Sequence, residues 1–177
     1  MMSLILITAI KSAMDVLDII GKVSAFSMHE TQVLKEVVIR MKRDFYRPDK
    51  IILYHQVRRK GDELSAPRLN HFLRILESDR DIILSAEAKL SDHSIQVLRL
   101  LESMERLNSD TIEACESIST SDHMDQKMME EALHETIDRY RYVMASLLLQ
   151  LMERFKSARF TTYKTWVYTL SKQYKLR

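Results

Sequence analysis

Asp81–Ile118, DIILSAEAKLSDHSIQVLRLLESMERLNSDTIEACESI, carries a seven-residue pattern that decides the fold class. One set of positions is Ile83, Leu90, Val97, Met104, Thr111 and Ile118. The other is Ala86, His93, Leu100, Leu107 and Ala114. Positions recurring at three and four residues line one face of an α-helix, so the stretch predicts a long helix with a coiled-coil-like seam. Ser91-Asp92 and Asn108-Ser109-Asp110 are local cap signals that can interrupt it, and Asp79 or Asp81 is expected to start it.

The pattern continues on both sides. After a loop at Ser119–Asp122, Met129, Leu133, Thr136, Tyr140, Val143 and Leu147 step at three and four, which predicts a helix from about His123 to Ser157. The two long segments then form an antiparallel hairpin. Before them, Ser65-Ala66-Pro67 places a proline in the first turn of a helix whose apolar face is Leu69, Phe72, Leu73 and Leu76. Ser27-Met28-His29-Glu30 has the form of a capping box, and Val33, Leu34, Val37, Val38 and Met41 follow at helical spacing to about Tyr46. Arg47-Pro48-Asp49 breaks the chain, and a short helix is expected over Lys50–Lys60, ending at Gly61-Asp62. Residues 3–25 read as a helix that is apolar almost all round, with Lys11, Asp15, Asp18 and Lys22 in one narrow polar stripe. Core packing, an interface with another chain and contact with lipid are its three readings. The run Leu4–Ile10 lacks the basic lead and cleavage pattern of a signal peptide.

Composition agrees. Among 177 residues there are two Gly and two Pro, too few for the turns that sheets need. The expected fold is all-α, a bundle of about five to seven helices in a single domain of residues 1–177. Its parts are N-terminal helices over 1–77, a long acidic helical hairpin over 78–157, and a basic aromatic C-terminal helix over 158–177.

Charge supplies the functional lead. The formal net charge of +2 hides a strong asymmetry. Residues 1–77 carry net +4, residues 78–138 net −10 and residues 139–177 net +8. The last stretch, Arg154–Arg177, holds seven Lys/Arg, no Asp or Glu, and six of the chain's 13 aromatics. Cations attract phosphates and aromatic faces stack on bases, so this stretch is a candidate nucleic-acid surface. Its candidate residues are Arg154, Lys156, Arg159, Lys164, Tyr168, Lys172, Lys175 and Arg177. A second cluster, Arg40, Lys42, Arg43, Arg47, Lys50, Arg58, Arg59 and Lys60, has Phe45, Tyr46 and Tyr54 interleaved. If folding brings the clusters together, contact with the phosphate backbone is the natural mode. A base-reading helix-turn-helix fits less well, because the tail has no glycine in its turn. The opposite reading is neutralisation of both clusters by the acidic middle.

Catalytic and metal signatures are sparse. No Gly-rich phosphate loop or Gly-x-Ser-x-Gly elbow occurs. Glu131-Ala132-Leu133-His134 has the Glu-x-x-His step of di-iron bundles but no second copy. Cys115 is the only cysteine, which rules out an intrachain disulfide and fits a reducing compartment such as the cytoplasm. The chain is therefore expected to be a non-enzymatic accessory subunit without cofactor or metal. Its expected partners are nucleic-acid backbone and either a protein partner or further copies of itself, rather than a membrane. The alternatives are a membrane-active or oligomerising module acting through the N-terminal helix, and a purely protein-binding scaffold or inhibitor.

Overall fold

Ser27 caps the helix that begins at Met28. Its Oγ accepts from the Glu30 backbone N–H at 3.2 Å, and its own N–H donates to Glu30 Oε2 at 2.8 Å. This is the reciprocal capping box the sequence predicts, and it satisfies two of the donors a helix start leaves open. The computed structural model describes residues 11, 19, 25–46, 66–92, 95–155 and 164–165, with side chains at all of them except 42–46 and 66–68. Within these lie four long helices: α1 (Met28–Tyr46), α2 (Ala66–Lys89), α3 (Ile95–Ser119) and α4 (Gln126–Arg154). No strand occurs among the described residues. Removing the cap hydroxyl with Ser27→Ala lowers the unfolding free energy by about 1 kcal/mol, measured by urea denaturation.

Each helix packs on its neighbours in the chain, and α1 also packs on α4, which closes a ring of four. The side-chain pairs fix the directions. Arg80 on α2 meets Glu105 on α3, whereas Asn108, further along α3, donates to the Leu76 carbonyl, further back on α2, at 3.1 Å. Those helices are therefore antiparallel. Lys89 at the end of α2 reaches Glu36 in the first half of α1, and Phe155 at the end of α4 meets Phe26 just before α1. The result is an up-down-up-down four-helix bundle.

The core is aliphatic and continuous through all four helices. It includes Leu34 and Met41 of α1, Leu76 and Ile83 of α2, Leu100, Leu101 and Met104 of α3, and Leu147, Leu148 and Leu151 of α4. Every described position of the Ile83 and Ala86 series is buried. Buried hydroxyls are satisfied within their own helices, Thr111 donating to the Leu107 carbonyl at 2.6 Å and Thr136 to the Ala132 carbonyl at 2.8 Å. The Phe72 ring meets Tyr140 edge-on at 6.0 Å, and the Arg141 guanidinium lies 5.9 Å from it. Burial lowers that guanidinium to about 10, while Asp138 and Tyr140 act the other way.

Several element boundaries differ from the expected ones. Four helices are described against five to seven expected. The expected start at Asp79 or Asp81 does not occur, because α2 runs unbroken from Ala66 to Lys89. Leu69, Phe72, Leu76, Asp79, Ile83, Ala86 and Leu90 step at three and four without interruption, and Asp79 occupies a fully buried position in that series instead of capping a helix. The helix ends at the later signal, in a turn through Leu90–Asp92. Asn108–Asp110 does not break α3, since Asn108 turns inward onto α2. α4 starts at Gln126, later than His123, because Asp125 is its N-cap and accepts from the Met128 N–H at 2.8 Å. The expected helix over residues 50–60 lies outside the described residues, as does nearly all of those over 3–25 and 158–177. Of the first, Ile19 is helical, half-buried and packed against the core, and Lys11 is helical and exposed. No helix among the described residues is long and apolar enough to cross a membrane.

Candidate nucleic-acid interface

The capping box sets the chain entering α1, and with it the position of Phe26. Phe26 packs on Phe155, the C-cap of α4, with ring centroids 6.1 Å apart and planes tilted by 51°. A cation lies over each ring. The Arg154 guanidinium is 5.4 Å from the Phe26 centroid, and Lys35 Nζ, from α1, is 5.9 Å from the Phe155 centroid. Arg154 and Lys35 are both exposed. Such contacts contribute about 0.5–1 kcal/mol each at exposed sites, enough to orient a long side chain without withdrawing its charge from solvent.

Arg40 lies on α1 five residues beyond Lys35, a rise of about 7.5 Å and a turn of about 140° around the axis, so it is exposed on the α2-facing flank whereas Lys35 is on the flank facing α4. Glu36, one turn before Arg40, is bonded to Lys89 at 2.9 Å. That Lys89 ammonium, with Arg40 adding to it, holds the Glu36 carboxyl below the ordinary carboxylate range. Two cations thus share one carboxylate on this edge of α1. Lys164 is helical and exposed.

Of the residues expected to bind nucleic acid, Arg40, Arg154 and Lys164 are described in full. Lys42 and Arg43 belong to the last turns of α1. Arg47, Lys50, Arg58, Arg59, Lys60, Lys156, Arg159, Tyr168, Lys172, Lys175 and Arg177 lie outside the described residues. The structure brings the end of α4 against α1 through Lys35, which sequence reasoning missed. Lys35 stands between Leu34 and Glu36, so its local charge is unremarkable. Only the pairing of α1 with α4 sets it beside Arg154.

The acidic helices form ion pairs, two with cations of the same region, Arg80 with Glu105 at 2.6 Å and Lys127 with Glu131 at 4.0 Å, and one with the basic segment that follows, Arg139 with Glu135 at 2.9 Å. Glu87 faces other acids. Burial, then Glu102 and Glu105, raise its carboxyl above the ordinary value. Among the described residues no group of three or more His, Cys, Asp or Glu is placed to hold a metal ion.

Cys115 is fully buried in α3, and burial, assisted by Glu116, pushes its thiol up to about 12. The native protein is therefore expected to react with a thiol reagent at pH 8 at least 100-fold more slowly than the urea-unfolded chain, timed by absorbance. Because the folded state holds this proton longer than the unfolded state, the residue's contribution to stability is intact below pH 9. It falls by about 1.4 kcal/mol per pH unit between 9 and 12.

Compared with protein-family models, curated proteins and solved structures, the chain matches none.

Proposed function

We propose that this chain is a non-enzymatic, cytoplasmic helical accessory subunit that binds nucleic-acid backbone within a larger protein or nucleoprotein assembly. One observation carries the reading. Lys35 of α1 and Arg154 of α4, far apart in sequence, lie over the two rings of one aromatic pair. Arg154 at the end of α4 therefore meets α1, whose sequence sets the cations Lys35, Arg40, Lys42 and Arg43 against the acids Glu30, Glu36 and Asp44.

The mode of contact follows from the same geometry. Each ring of the Phe26–Phe155 pair already has a cation over it, so the pair orients charge instead of offering itself to a base. Ammonium and guanidinium groups held at a surface neutralise phosphates and release counterions, which gives affinity without sequence preference. The test is fluorescence anisotropy of labelled duplex and single strand at 50 and 200 mM salt. The reading expects binding at the lower concentration that weakens steeply at the higher and varies little with sequence. Absence of binding at 50 mM contradicts it.

A further inference from the structure

We draw no further inference here: the strongest candidate, the exposed carboxylates at the turn between α3 and α4 (Glu113, Glu116, Asp122 and Asp125), is a cluster of acids alone, and nothing in the structure shows what covers it.

Discussion

Reversing the charge of Lys35, Arg40, Arg154 and Lys164 together is expected to weaken binding to a 20-base-pair duplex by about 100-fold or more at 50 mM salt. The four positions are exposed, and none belongs to the buried core, so the variant keeps its helical signal and loses only the few degrees of melting temperature that follow from the two cation–π contacts of Lys35 and Arg154. The magnitude follows from counterion release. Each phosphate contact contributes about 0.9 to the slope of log affinity against log salt. Four lost contacts flatten that slope by about 3–4 while leaving sequence preference unchanged. A change in preference without a change in slope indicates base contacts instead.

Leu34→Ala is expected to have the largest effect on stability, lowering the unfolding free energy by about 3 kcal/mol. Leu34 is fully buried in the core, and α1 is the shortest of the four described helices at 19 residues. With Val33, Val37, Val38 and Met41 it holds α1 in the bundle. A side chain lost there leaves a cavity that α1 and its neighbours close only in part. Lys35 is the next residue, on the outer side of the same turn. The substitution therefore also loosens the placement of Lys35 beside Arg154, and its cost in affinity exceeds what a neutral core change elsewhere produces. Urea denaturation checks the first effect and anisotropy the second. A loss below about 1 kcal/mol means that α1 packs less tightly than its burial indicates.

Much of the bundle was legible because its signal is periodic and summed over many residues. The Ile83 and Ala86 series predicts burial position by position, and the capping box at Ser27 and Glu30 forms as read. Single polar residues were harder. Asp79 and Asn108 both have the chemistry of helix caps, yet both lie inside the bundle, where tertiary packing overrides local preference. Ser91-Asp92 has the same local appearance and does mark a turn. No local rule separates these cases, because the difference is whether the apolar series continues on the same face beyond the signal.

The candidate site was legible as two cationic segments and not as a surface. Arg40 and Arg154 stand out by composition. Lys35, Phe26 and the relation of α4 to α1 do not, because they depend on which helix ends meet after the chain has turned three times. Lys89 likewise joins the opposite flank of α1, beside Arg40, only through its bond to Glu36.

The central claim is that α1 and the end of α4 present their cations as one surface. A ten-base-pair duplex, about 34 Å long, is short enough that separate sites cannot both engage it without sharing it. The decisive measurement is the salt dependence of its binding to three proteins: wild type, Lys35→Glu/Arg40→Glu, and Arg154→Glu/Lys164→Glu. The account predicts that each pair of substitutions flattens the slope for this one duplex by about 2. A slope that responds to only one pair, or to neither, contradicts it.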